Sequence, residues 1–224
     1  VYASYRNVTR LDVGLYQLSP KQFMLFNSYG YYRAWQNYHP RERDLLRQWS
    51  VEVDPPRNET RLIRLDMTDE DGEQLPPGLY YVELSAPEVL EDDPDEGPSR
   101  YTFIRSYTNL ILKQSPTEAL VWATDVATGE AVPDLNVRFI AEDESWEMRH
   151  IARGSVSPPG LYQAEGLSND LWDSYFAFSG EPGDADFAVA LNRWDDGIDP
   201  WRFNLNSDYS DSEYRGYVYT DRPI

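Results

Sequence analysis

The sequence predicts an all-β fold: two tandem antiparallel β-sandwich domains with a short helix in the first. Three observations carry this. Strand-like runs with turn residues between them recur at roughly 8–15-residue spacing, the rhythm of sandwiches. The chain of 224 residues fits one large domain or two small ones at roughly 100–150 residues each. The apolar share of 41%, carried in part by 17 Tyr, 7 Trp and 8 Phe, is enough to fill packed cores.

The first run, Asn7 to Tyr16, alternates with period two, so Leu11, Val13 and Leu15 share one face and Arg10 and Asp12 the other. Ser19-Pro20 then reads as an N-cap followed by proline at the first helical position. Phe23, Met24 and Phe26 give that helix an apolar side, and it ends before Gly30. Strands follow at 49–53 and 60–65. After the acidic loop Asp69-Glu70-Asp71-Gly72, the Pro76-Pro77-Gly78 turn feeds an alternating strand to Leu84.

Glu88 to Arg100 holds six acids and two prolines with little to bury, which predicts a solvated linker or long loop. The expected division is a first sandwich over 1–92, an acidic linker over 93–100, a second sandwich over 101–215 and a connecting segment over 216–224. Strands of the second half are expected at 109–114, 118–125, 135–140, 175–178 and 187–191. Pro158-Pro159-Gly160-Leu161-Tyr162 repeats residues 76–80 letter for letter. Its flanks do not align, so the reading is one turn chemistry used twice. Gly129 in Thr128-Gly129-Glu130 is expected to take the positive φ that its turn requires.

Charge narrows function. With 39 acids against 20 bases the net charge is −19, which disfavours nucleic acid and anionic membrane, where clustered Lys and Arg displace counterions. Without cysteine there is no disulfide framework, thiol nucleophile or zinc-finger site. No window of 18 apolar residues offers a membrane span. The start, Val1-Tyr2-Ala3-Ser4, reads as neither a signal peptide nor a natural start, so an excised fragment is expected.

Candidate chemistry is thin. Asp66 to Gly72 resembles an EF-hand loop, but Met67 and Gly78 stand where the pattern needs Asp and Glu. Looser calcium sites are conceivable at Asp195-Asp196-Gly197-Ile198-Asp199 or around Asp208 and Asp211. His39 and His150 lie near no nucleophile motif. The expectation is therefore no catalytic, cofactor-binding or metal-binding residue, and no cofactor. Asn7-Val8-Thr9 and Asn58-Glu59-Thr60 match the glycosylation triplet, which has meaning only in a eukaryotic secretory setting. Tyr29, Tyr31, Tyr32, Trp35, Tyr38 and Trp49, interleaved with Arg33, Arg41, Arg43 and Arg47, read first as aromatics packing over a sandwich with Arg stems on the rings. The alternative is a platform that stacks sugars or bases.

The C-terminal stretch Tyr219-Thr220-Asp221-Arg222-Pro223-Ile224 resembles the start of the Y-T-D-R-P-I-Y-R-P-G motif of alpha-2-macroglobulins. Residues 109–133, with Leu120-Val121-Trp122-Ala123-Thr124-Asp125 and Thr128-Gly129-Glu130-Ala131-Val132-Pro133, resemble a strand-turn-strand segment of the bacterial members. Gly197-Ile198-Asp199-Pro200-Trp201-Arg202-Phe203 is similar to their G-I-x-x-W-x-F segment, and Tyr5 to Val8 with residues 75–80 resemble the preceding domain.

The resemblance implies two early macroglobulin-like domains, each a sandwich of fibronectin III or Ig type, from a broad-range protease inhibitor of the bacterial cell envelope. It implies non-catalytic scaffold modules, exported and periplasmic or at the cell surface, with lipid anchorage elsewhere in the protein. Partners would be neighbouring domains of the same chain and, for the whole protein, target proteases, with no direct membrane contact by these residues. The thioester Cys of the family has no counterpart here. Trp122 and Trp201 are expected in cores, with a contact surface between domains as the alternative. A carbohydrate- or adhesin-type binding module is the other function class, with residues 29–38 and the Trp residues as its sugar-stacking face.

Overall fold

A computed structural model describes residues 1–28, 34–35, 37–92, 97–114, 118–142, 148–153, 155–156, 159–165 and 175–192. In chain order the elements are strands β1 (Tyr2–Tyr5) and β2 (Arg10–Gln17), helix α1 (Pro20–Asn27), strands β3 (Leu45–Glu52), β4 (Arg61–Arg64) and β5 (Gly78–Ser85), and helix α2 (Pro87–Asp92). The strands β6 (Ser99–Arg105), β7 (Thr108–Gln114), β8 (Glu118–Asp125), β9 (Arg138–Glu142) and β10 (Met148–Arg153) follow. Last come β11 (Ser155–Val156), β12 (Leu161–Glu165), β13 (Tyr175–Ser179) and β14 (Ala188–Leu191). They form four antiparallel sheets with orders β1-β4, β3-β2-β5-β6, β10-β9-β13-β14 and β11-β12-β8-β7.

Period-two alternation builds the first sandwich as expected. Val13 and Leu15 of β2 and Tyr80 and Val82 of β5 point one way, onto Ala3 of β1, Ile63 of β4, Leu65 and Leu75. Val8, Leu11 and Ala86 close one end. The second sandwich faces β8 and β12 toward β9, β13 and β14. Ala119, Val121 and Ala123 of β8 meet Phe139 and Tyr175 of the facing sheet, small residues opposite large ones, and Tyr162 of β12 fills the same core.

Helix α1 starts where the sequence places it. Ser19 Oγ accepts the Gln22 N–H and Gln22 Oε1 accepts the Ser19 N–H, a reciprocal cap, with Pro20 at the first helical position. The helix lays Phe23, Met24 and Phe26 onto the other face of β5, at Leu79 and Tyr81, and onto Phe176, Phe178, Phe187 and Val189 of the second half. The two sandwiches therefore share an apolar core. Polar links reinforce it: the Gly183 N–H donates to the Pro77 carbonyl at 2.8 Å, and Ser106 Oγ lies 2.6 Å from the Phe187 carbonyl oxygen.

The boundary differs from the sequence expectation. Residues 88–100 are expected as a solvated linker or long loop, yet Pro87–Asp92 is helical and β6 pairs with β5 from Gly78↔Arg105 to Leu84↔Ser99; residues 93–96 lie outside the described residues. The first sheet thus keeps the chain to Arg105, and residues 101–105 belong with the first sandwich. Phe103 of β6 stacks on Tyr80 of β5 with centroids 5.1 Å apart. Glu88, read as solvated, accepts both the N–H and the hydroxyl of Thr9, at 2.6 and 2.5 Å, and ties α2 to the start of β2.

The two Pro-Pro-Gly-Leu-Tyr copies share one device and differ in another. Tyr80 and Tyr162 are both buried, and their hydroxyls donate to the carbonyls of Pro76 and Val132. Gly160 has φ +80° and a Cβ there would lie 2.8 Å from Ala131 Cβ, whereas Gly78 is ordinary strand. Only the second copy depends on glycine for its backbone.

Phe178→Ala removes a ring from the shared core and is expected to cost about 3–5 kcal/mol. Urea denaturation followed by fluorescence and by hydrogen exchange should show one transition for both sandwiches, moved to lower urea. Separate transitions for β2–β5 and β8–β12 would contradict the shared core. The hydrogen bonds from the Thr9 hydroxyl and then its N–H hold the Glu88 carboxyl below its ordinary value of 4.5. A group held low in the folded state stabilises at pH above its unfolded value, and that contribution fades as pH falls through the folded one. Glu88→Gln should thus destabilise at pH 7 by up to about 1 kcal/mol and flatten the acid limb of a melting-temperature profile below 4.5.

Candidate functional site

Two places stand out: the aromatic junction between the sandwiches and the outer face of the β7–β8 hairpin. Tyr81 centres the first. Phe26, Trp35, Tyr38 and Tyr16 surround it with centroids 6.2, 5.9, 5.0 and 6.0 Å away, Tyr38 edge-on. Trp35 stacks on Phe26 at 4.6 Å. Gly14 on the neighbouring strand makes room for the Tyr16 ring, which a Cβ would approach to 2.8 Å. The Tyr81 hydroxyl donates to Glu83 Oε1 at 2.7 Å, and Arg100 of β6 donates to the Trp35 carbonyl.

Burial pushes the Tyr81 hydroxyl far up, and the bond to Glu83 pushes the same way, so it stays protonated. Burial likewise lifts Tyr16 and Tyr38, and it pushes Tyr80 up to about 12. These shifts come first from desolvation in an apolar cluster. The junction is packing.

The described part of the segment from 29 to 49 follows the first reading, packing over the sandwich. Trp35 and Tyr38 join the shared core, and the Arg47 guanidinium lies 4.4 Å over the half-buried Trp49 ring. Arg41 and Arg43 pair with Asp44 at 2.9 and 3.7 Å. No sugar-stacking row forms from these residues; Tyr29, Tyr31, Tyr32 and Arg33 lie outside the described residues.

Acidic loops serve the backbone. Asp69 Oδ1 accepts the N–H groups of Asp71 and Glu73 at 3.1 and 2.8 Å, closing its own loop. Asp125 accepts the N–H groups of Thr128 and Ala127, and Thr128, first through its N–H and then its hydroxyl, holds the carboxyl low. Gly129 takes φ +74° there, as its turn requires. No three His, Cys, Asp or Glu side chains converge as metal ligands among the described residues. His39 is exposed, and His150 pairs with Ile140 in the β10–β9 ladder. Asp195 to Asp199, Trp201, Asp208, Asp211 and the motifs of 197–224 lie outside the described residues.

Trp122 is a correction. Expected in a core, it is 49% exposed on β8, with Ile111 and Leu161 beside it across the two ladders. Parity decides this. Ala119, Val121 and Ala123 face Phe139 and Tyr175, whose bulk leaves no room for indole on that side.

No protein-family model and no curated protein sequence matches the chain. Among solved structures it is similar to native alpha-2-macroglobulin from Escherichia coli spanning domains NIE-MG1. That likeness has a TM-score of 0.58 at 15% identity and covers 84% of this chain and 86% of that one. It is also similar to the form spanning domains MG0-NIE-MG1, with TM-score 0.58 at 16% identity, covering 85% of this chain. The chain spans 57% of that longer structure. At such identity the likeness speaks for architecture: the chain has the macroglobulin-like β-sandwich fold seen in the NIE-MG1 domains of a bacterial alpha-2-macroglobulin.

Proposed function

We propose that residues 1–224 are scaffold modules of a bacterial alpha-2-macroglobulin-like inhibitor, exported to the periplasm or cell surface, whose complete polypeptide traps proteases. One observation carries the reading: the paired-sandwich arrangement follows the NIE-MG1 structure over 84% of this chain. The sequence resemblance at 109–133 coincides with β7, β8 and the Thr-Gly turn, so motif and fold point the same way. The modules themselves are non-catalytic in this reading and act mechanically. A shared core makes the described sandwiches a stiff unit against which other domains of the inhibitor rearrange when a protease cuts it.

The test uses the longer polypeptide of the source organism with a panel of endopeptidases. After mixing, hydrolysis of a large protein substrate should fall at least tenfold, while hydrolysis of a small chromogenic peptide persists, because a trapped protease keeps its active site. Residues 1–224 alone should leave hydrolysis of both substrates undiminished. Undiminished hydrolysis of the large substrate by every protease would refute the proposal.

A further inference from the structure

The first sandwich is unequal: four strands, β3-β2-β5-β6, face only two, β1 and β4. Arg47 of β3 reaches Thr68, just past β4, at 2.6 Å, whereas an open cleft of about 210 Å³ joins Ser4 and Tyr5 of β1 to Ser99 of β6. β4 thus lies over the β3 side and β1 over the β6 side, and the short sheet stops at β1. Tyr101 shows the consequence. It pairs with Val82 and so shares the core face of its sheet, yet it is 56% exposed. β1 itself has a bare edge. Val1 and Leu65 exchange both main-chain hydrogen bonds, at 3.1 and 2.8 Å. By alternation Ala3↔Ile63 and Tyr5↔Arg61 are the next bonded pairs, so Tyr2 and Ser4 turn their N–H and C=O groups away from β4. Among the described residues no strand pairs with that edge.

We propose that the slot beside β1 binds an extended, cationic segment of another protein as an added strand. Such a segment finds backbone partners at Tyr2 and Ser4, while its alternate side chains fall on Tyr101 and on the cleft's apolar lining of Val8, Leu84 and Val89. The bare edge and the uncovered core face lie side by side, and one strand satisfies both. Charge selects the occupant. Two lining residues, Val89 and Gly97, are joined in sequence by a stretch that carries Glu91, Asp92, Asp93, Asp95 and Glu96. Glu88, beside Val89, gives Oε1 to Thr9 and leaves Oε2 without a hydrogen bond. Arg6 is the lone base among the lining residues, and it lies 3.5 Å from Asn58 Oδ1. A net charge of −19 attracts a basic peptide and opposes a second copy of this chain. The slot belongs to the first sandwich alone, and its role stands apart from protease trapping.

The probe is an amidated peptide of about seven residues in which lysine and valine alternate, and its counterpart carries glutamate for lysine. Titrated into isotope-labelled residues 1–224, the lysine peptide should shift the Tyr2 and Ser4 amide signals and slow their hydrogen exchange. Exchange at Ala3, whose N–H is already bonded to β4, should not change. Its dissociation constant should lie below about 1 mM, about tenfold under that of the glutamate peptide, and should rise with salt. Ser4→Pro removes one outward N–H that the β1–β4 ladder does not use, and Tyr101→Ala removes the uncovered ring. Each should weaken binding about fivefold and move the melting temperature by less than about 2 °C. Should Ser4→Pro melt lower, Tyr101→Ala alone decides. Absence of binding at about 1 mM, equal binding of the glutamate peptide, or unchanged affinity in Tyr101→Ala would overturn the proposal. So would dimers of residues 1–224 that Tyr101→Ala abolishes, which put a second copy in the slot. Loss of binding in the longer polypeptide would overturn it too, by placing the chain's own segment there.

Discussion

The architecture depends on covering both faces of two strands. β5 buries Tyr80 and Val82 on one side and Leu79 and Tyr81 on the other. β13 does the same, with Tyr175 and Ala177 toward one core and Phe176 and Phe178 toward another. Neither strand has a polar face, so neither sheet is complete as a half-solvated layer. Each second face needs a cover, and α1 with its Phe23, Met24 and Phe26 supplies one between them. A single eight-residue helix, secured by the Ser19–Gln22 cap, thereby unites two sandwiches.

The polar groups at the junction are arranged to serve that packing. Tyr81 needs an acceptor for its buried hydroxyl and finds Glu83; Arg100 anchors the backbone at Trp35. These bonds hold the 34–38 aromatics against Phe26 and Tyr81 without leaving the ring cluster open to water. The same economy applies to the acidic loops, where Asp69 and Asp125 spend their lone pairs on local N–H groups. A chain with 39 carboxylates thus uses several of them as turn hardware.

Much of this was legible in the sequence because it follows local rules. Alternation in residues 10–16 marked β2 and its inner face, Ser19-Pro20 marked the helix start, and β8 occupies Glu118–Asp125 as its pattern indicates. What escaped depends on distant partners. β6 sits beside an acidic run, and its pairing with β5 follows from open edges rather than composition. The outward Trp122 was hidden because alternation assigns residues to two faces without saying which is inner; the bulk of Phe139 and Tyr175 on the opposing sheet decides that. Trp35 and Tyr38 were rightly read as packing, but their partners come from both halves of the chain, a fact no window of sequence contains.

The shared core also bears on how such modules pass between genes. A recombination breakpoint between Arg105 and Thr108 would take α1 away from Phe176 and Phe178 on one product, and on the other would bare the side of the α1 cluster that Phe176, Phe178, Phe187 and Val189 now cover. Both orphans would be sticky and short of stability. The heritable cassette is therefore the pair, and shuffling that respects folding must exchange the two sandwiches together.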